Sequence, residues 1–225
     1  MRRMGMPLTI ALLVAAALNA YGNPAEMAEM RAFAKSMPGL ACNLEFQGSL
    51  EILSNHYMIW KNGRLDKPLV IGGAEFRRGF YCHAPSDILV TLPGPGAAFT
   101  AYIGVDTNNQ TRGGNGSVVF SVEKDGAALF TSGVMREGIA YVPVRVALEG
   151  ATSIHLKVGD SGDGISCDQA DWADAKVTLA DGKVVWLGDL PVKDARETSD
   201  YADSPCFSFL YDGKPFGEVV PHFDV

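Results

Sequence analysis

From residue 46 onward, apolar and polar positions alternate along the chain with a period of two. Ile88, Val90 and Leu92 fall on one side, as do Phe99, Ala101, Ile103 and Val105. Val118, Phe120 and Val122 alternate with Ser117, Ser121 and Glu123, and Val142, Val144 and Val146 repeat the pattern. Ile154, Leu156 and Val158 interleave with His155 and Lys157, and Val177, Leu179 and the run 184–187 close the set. Successive side chains of a strand point to opposite faces of its sheet, so this period marks half-buried strands. Asp125-Gly126 is a hairpin turn between 117–124 and 128–131. Many short strands, Gly-rich turns and little helix predict an all-β chain folded as an antiparallel β-sandwich.

The first 45 residues follow other rules. Arg2 and Arg3 precede an apolar run over 8–18, and Ala20-Tyr21-Gly22 offers small residues for cleavage. The run is short for a bilayer span, so 1–22 reads as an export leader. That places the mature chain outside the cytoplasm, secreted, periplasmic or at the cell surface, with no membrane segment after cleavage. Asn23-Pro24-Ala25-Glu26 is a helix start, and Met27, Met30, Phe33 and Ala34 follow at helical spacing until Pro38-Gly39. A short helical lead-in over 23–45 therefore precedes the sandwich, expected over 46–190. Residues 191–205 are charged and poor in apolar side chains, as in a linker. The strand-like 206–211 and the turn Asp212-Gly213-Lys214-Pro215 read as the opening of a further domain over 206–225, cut short at Val225.

Composition narrows the class. A hydrophobic content of 47%, a mean hydropathy of +0.07 and a net charge of −7 describe a globular chain. Lys and Arg are scattered with no basic stripe, which argues against nucleic acid and favours a neutral partner. Four cysteines, Cys42, Cys82, Cys167 and Cys206, permit two disulfides in three pairings in an exported protein. No Cys-x-x-Cys or His-x-x-x-His spacing exists for zinc.

Two segments stand apart from the strand pattern: Gly79-Phe80-Tyr81-Cys82-His83-Ala84-Pro85-Ser86, and the acidic stretch 160–174 with its Asp-x-Gly-Asp-Gly-Ile and Asp-x-Ala-Asp-Trp-Ala-Asp. With Gly104-Val105-Asp106, Gly116-Ser117-Val118-Val119-Phe120 and Ser132-Gly133-Val134-Met135, they resemble the carbohydrate-binding modules found beside glycoside hydrolase catalytic domains. These are NPCBM/NEW2-type modules, a group that includes the family-51 carbohydrate-binding modules. The resemblance runs from about residue 46 to 187. It implies a galactose-binding-like jelly roll, non-catalytic binding of galactose-containing glycan, and a tethered catalytic domain. Residues 206–225 also resemble the lead-in to α-galactosidase-like catalytic domains. The family often carries hydroxyl residues where this chain has Cys82 and Cys167. The paired departure implies that these two loops meet and that Cys82 and Cys167 form a disulfide, leaving Cys42 and Cys206 as the second pair or as free thiols.

The candidate chemistry follows from residue types. Five carboxylates, Asp160, Asp163, Asp168, Asp171 and Asp174, fall within 15 residues and repel unless compensated. One structural Ca²⁺ held by Asp160, Asp163, Asp168 and Asp171 would do this; capping of turns by the same side chains is the alternative. Sugar hydroxyls call for convergent polar groups, which Asp106, Asn108, Asn109 and Arg112 supply on the long polar loop 106–116 and His83 in the first motif. His83 is equally suited to a structural bond with the backbone. A sugar also presents an apolar face for an aromatic ring. Trp172 sits in the second motif, where alternation equally allows it to be core, and Trp60, Tyr57, Tyr81 and Tyr102 are further candidates. Two alternatives stand beside glycan targeting: a module that only packs on its catalytic neighbour, and a hydrolase using two acids of the Asp cluster.

Overall fold

A computed structural model of the chain describes residues 48–65, 67–196, 207–211 and 214–215. The expected leader, the helical lead-in, Cys42 and Cys206 lie outside the described residues. One sheet contains β1 (Ser49–Asn55), β6 (Ser86–Thr91), β8 (Ser117–Lys124), β9 (Ala127–Thr131), β10 (Met135–Arg136), β12 (Ser153–Gly159) and β15 (Val192–Asp194). Their order is β10-β8-β12-β6-β1-β15, with β9 paired to β8. The other sheet contains β2 (Ile59–Lys61), β5 (Gly79–His83), β7 (Gly96–Val105), β11 (Val142–Ala147), β13 (Gln169–Leu179), β14 (Val184–Trp186), β16 (Phe207–Tyr211) and β17 (Lys214–Pro215). Here the order is β11-β7-β13-β5-β2-β16-β17, with β14 paired to β13. Pairings are antiparallel apart from β1 with β15 and β2 with β16. The chain is thus a β-sandwich, and the Asp125-Gly126 turn closes the β8–β9 hairpin. Val192–Asp194, expected in a linker, instead adds a parallel edge strand to β1.

The alternating positions meet between the sheets. Ile88, Val90, Val118, Phe120, Val122, Ile154, Leu156 and Val158 from one sheet pack with Phe99, Ile103, Trp172 and Val177 from the other. Their polar neighbours face outward, where Lys157 bridges Glu123 at 2.6 Å and His155 meets Asp87 at 2.8 Å.

On β5 and the first half of β13 the burial does not alternate: every residue of β5 and all of 169–173 is buried. The reason is a third layer. The hairpin β3 (Leu69–Ile71) and β4 (Ala74–Phe76) covers the outer face of the second sheet. Leu69 and Ile71 pack there on Trp60, Tyr81 and Ala173 in a smaller apolar cluster. Close approach of backbones fixes two motif glycines. Gly79 has φ +114° and an added Cβ would collide with the Trp172 carbonyl; Gly116 has φ +80° and would collide with that of Cys167. Only glycine adopts such backbone without steric cost.

Candidate functional site

A cleft of ≈ 830 Å³ opens where the covering hairpin, the turn after β2 and loop 106–116 meet over the ends of β5 and β13. Aromatic faces come from Tyr57, Trp60 and Tyr81; charged groups from Arg64, Lys67, Glu75 and Arg112; other polar groups from His56, His83, Thr107, Asn108, Asn109, Gln110 and Gln169. Loop 106–116 is held by bonds within itself and to Glu137. Thr111 Oγ1 donates to the Asp106 carbonyl at 2.6 Å, and the amides of Gly113 and Gly114 donate to Glu137 at 3.1 and 3.0 Å. A polar loop of this build is a firm support for side chains rather than a slack hairpin tip.

Under the cleft the side chains form a directed chain. Asn108 Nδ2 donates to Asp106 Oδ1 at 2.6 Å and to Gln169 Oε1 at 2.7 Å. Gln169 Nε2 donates to Gln110 Oε1 at 2.6 Å. A carboxylate only accepts, so Asp106 sets the direction of every amide above it. Asp171 lies beside Asp106 in the same layer, fully buried, and neither of its oxygens has a hydrogen-bond donor. Burial, and then the adjacent Asp106 carboxylate, raise its pKa well above the ordinary carboxyl range. Burial and the neighbouring Asp106 thus favour the protonated form of Asp171.

His83 makes the structural bond with the backbone that was one of its two expected roles. Its Nδ1 lies 2.8 Å from the carbonyl oxygen of Ala84. A carbonyl only accepts, so Nδ1 carries the hydrogen and Nε2 is left as an acceptor. Burial lowers the His83 pKa, more than the Ala84 bond restores it, so the ring is neutral at pH 7. His56 stacks on it with centroids 4.7 Å apart.

Of the residues expected from sequence to meet sugar, His83, Asn108, Asn109 and Arg112 line this cleft, and Asp106 lies directly beneath. Trp172 does not: it is fully buried between the sheets, with Phe99 and Phe120 edge-on at 5.9 and 5.0 Å. Arg64, Lys67, Gln110 and Gln169 were not singled out. Gln169 stands inside the second motif, next to Asp168, and was open to discovery there; nothing in the local sequence marks Arg64 or Lys67.

The acidic stretch divides in space. Asp171 belongs to the cleft floor. Asp163 accepts from Ser117 Oγ at 2.5 Å, Ser161 Oγ at 3.1 Å and Arg136 at 3.4 Å. Asp160 accepts from the Gly162 amide at 3.1 Å, and Asp168 from the Ser117 amide at 2.7 Å. Among the described residues no group of three or more His, Cys, Asp or Glu side chains is placed to hold a metal ion. In this arrangement the hydrogen bonds of these residues are those of turn-capping acids. The Cys82–Cys167 bond is likewise absent, both thiols being free. Cys82 pairs in register with Ala170 inside the sheet, while Cys167 lies in the turn that precedes β13.

Asp168 gives a pH prediction. Burial pushes its pKa up to about 6, against the opposing bond from Ser117, with Asp163 and Asp160 adding to the rise. A carboxyl whose folded pKa is raised stabilises the fold when protonated. Its contribution falls as pH rises from the unfolded value near 4 to about 6 and is level above that. Denaturant titrations across this window should show Asp168→Asn with a flatter stability profile than the parent, by roughly 2–3 kcal/mol end to end. Parallel profiles would contradict the buried carboxyl.

The model of the NPCBM/NEW2 domain matches residues 44–178. A family-51 carbohydrate-binding module of the Clostridium perfringens GH95, solved in complex with methyl-galactose, is 30% identical with a TM-score of 0.50, covering 56% of this chain and 91% of that one. A structure of the M60 catalytic domain with two family-51 modules from C. perfringens is 29% identical, also with a TM-score of 0.50, over 65% of this chain and 15% of that one. Among curated proteins, an endo-alpha-N-acetylgalactosaminidase of Renibacterium salmoninarum (so named, as a provisional assignment) is 40% identical over 109 residues. Alpha-1,3-galactosidase B of Akkermansia muciniphila is 35% identical over 112 residues. The matches cover 48% and 47% of this chain but 7% and 13% of those relatives.

Proposed function

We propose a function from the premise that this chain belongs to the NPCBM/NEW2 domain family, a family of non-catalytic carbohydrate-binding modules of glycoside hydrolases. The module holds a galactose-containing glycan in the cleft and brings an exported glycoside hydrolase, of which it is a part, to its substrate. The observation that carries this reading is the cleft itself: aromatic faces of Tyr57 and Trp60 beside a neutral His83 acceptor and a fixed array of amides. A sugar ring offers the matching apolar face and hydroxyls. The likeness to a module solved with methyl-galactose supports the choice of sugar, and the named glycosidases support an α-galactosidase-like neighbour.

The cleft is poorly suited to hydrolysis on its own account. Glycosidases need two carboxyls facing each other across the sugar. Of the described residues lining this cleft only Glu75 carries one, while Asp106 and Asp171 lie buried beside each other. Targeting suits a shallow polar site, because weak binding suffices when a tether raises the local substrate concentration.

Calorimetric titration of the purified chain with galactose-terminated glycans tests this. His83→Ala and Gln169→Ala should each weaken binding about three- to tenfold, the loss of one or two uncharged hydrogen bonds, and Asn109→Ala should weaken it without lowering the melting temperature. Folded protein that gives no signal on a multivalent glycan array would favour the packing-module alternative.

A further inference from the structure

The chain as a whole carries a net charge of −7, yet its cleft is lined by three cations, Arg64, Lys67 and Arg112, against the single carboxylate of Glu75. None of the three has an ion-pair partner among the described residues. Arg64 is half-buried, with its guanidinium 5.0 Å from the centre of the Tyr81 ring. A weak bond of 3.4 Å joins its Nη2 to Gln110, the Tyr81 hydroxyl is a second partner, and its Nε is buried with no acceptor. A guanidinium partly withdrawn from water with no ion-pair partner, only the Asp171 carboxyl beneath it, costs stability unless an acceptor arrives. The amides beside it have the same polarity. Asp106 turns Asn108 Nδ2 toward itself, and the donor chain runs on through Gln169 to Gln110 Oε1. The Nε2 hydrogens of Gln110 remain unspent. The site is therefore rich in donors and cations and short of acceptors.

We propose that the glycan held here carries an anionic substituent, a sulfate ester or a carboxylate, received by Arg64 within the cleft and by Lys67 and Arg112 at its rim. This rests on the glycan-binding reading above and narrows its ligand class. Sulfate and carboxylate oxygens are the acceptors that a planar guanidinium pairs with most strongly. Against an anionic protein surface, the local cations also select where such a ligand docks.

The test is titration of the full chain with three matched probes: a neutral galactose-terminated glycan, its O-sulfated counterpart, and its counterpart capped with a carboxylate sugar. At low salt one anionic probe should bind about tenfold more tightly than the neutral one, and the advantage should shrink in 0.5 M NaCl as screening grows. The two anionic arms distinguish a sulfate from a carboxylate ligand. The exposed pair Lys67→Gln and Arg112→Gln, combined in one variant, should lower the anionic-to-neutral affinity ratio about fivefold or more. Arg64→Gln should lower it further, with circular dichroism reporting whether the fold is kept. Neutral glycan bound as tightly as both anionic forms would overturn this inference and leave glycan binding standing. Silence with all three probes would overturn both.

Discussion

Trp172→Ala should destabilise the domain by about 3–5 kcal/mol, the range for removing a large buried aromatic side chain. The ring is fully enclosed, with Phe120 edge-on at 5.0 Å and Phe99 at 5.9 Å. Alanine leaves a cavity at the centre of the sandwich, where strands on both sides hold the walls apart. The indole hydrogen has no acceptor, since Nε1 is buried without a hydrogen-bond partner. Trp172→Phe removes that unsatisfied donor along with part of the ring, so its cost should be smaller, below about 2 kcal/mol. Urea titrations of parent and variants, read at a common m-value, measure both. A Trp172→Ala protein of parental stability that had lost glycan binding would make the ring a stacking platform instead of core.

The ambiguity of Trp172 shows where sequence reading reaches its limit. Ile88, Val90, Ile154 and Leu156 were legible because their strands face solvent on one side, so period-two alternation maps directly onto burial. The same rule is mute on Gly79–His83 and 169–173, where the β3–β4 layer buries both faces. That layer comes from residues 69–76, whose short strands carry too few positions to reveal what they cover.

The acidic stretch fails differently. Nearness in sequence reads as nearness in space only until a strand begins. Asp168 precedes β13 and Asp171 lies within it, so one carboxyl caps the Ser117 turn while the other sits under the cleft. Residue type singled out His83, Asn108 and the 106–116 loop one by one, and the fold brings them to one cleft. Neither residue type nor the family motifs pointed to Arg64 or Lys67, which the turn after β2 delivers across some 40 residues of chain and which no local pattern distinguishes from ordinary surface cations.

Asp171→Asn should be more stable than the parent at pH 8, with the gap closing as pH falls toward 4. In the parent, both Asp171 oxygens are buried without a donor, and the Asp106 carboxylate is adjacent. Burial and then Asp106 raise the folded pKa well above the unfolded one. Between those two values the folded state holds a proton that the unfolded state has released. Stability from this group is complete below the unfolded pKa near 4. It is lost as pH rises, by about 1.4 kcal/mol per pH unit, until the folded pKa is reached. Asparagine supplies a permanent N–H toward Asp106 in nearly the same shape and has no proton to lose, so its profile lacks this slope. Asp171→Leu supplies no donor and leaves Asp106 uncompensated; it should be less stable than Asp171→Asn at every pH by about 1–3 kcal/mol. Because Asp106 directs Asn108, Gln169 and Gln110, Asp171→Leu should also weaken glycan binding while Asp171→Asn preserves it. Stability profiles of the three proteins from pH 4 to 8, with a carboxylic-acid C=O stretch in the infrared spectrum that disappears in Asp171→Asn, decide the matter. An ionised Asp171 would give no such band and a parent profile parallel to that of the asparagine variant.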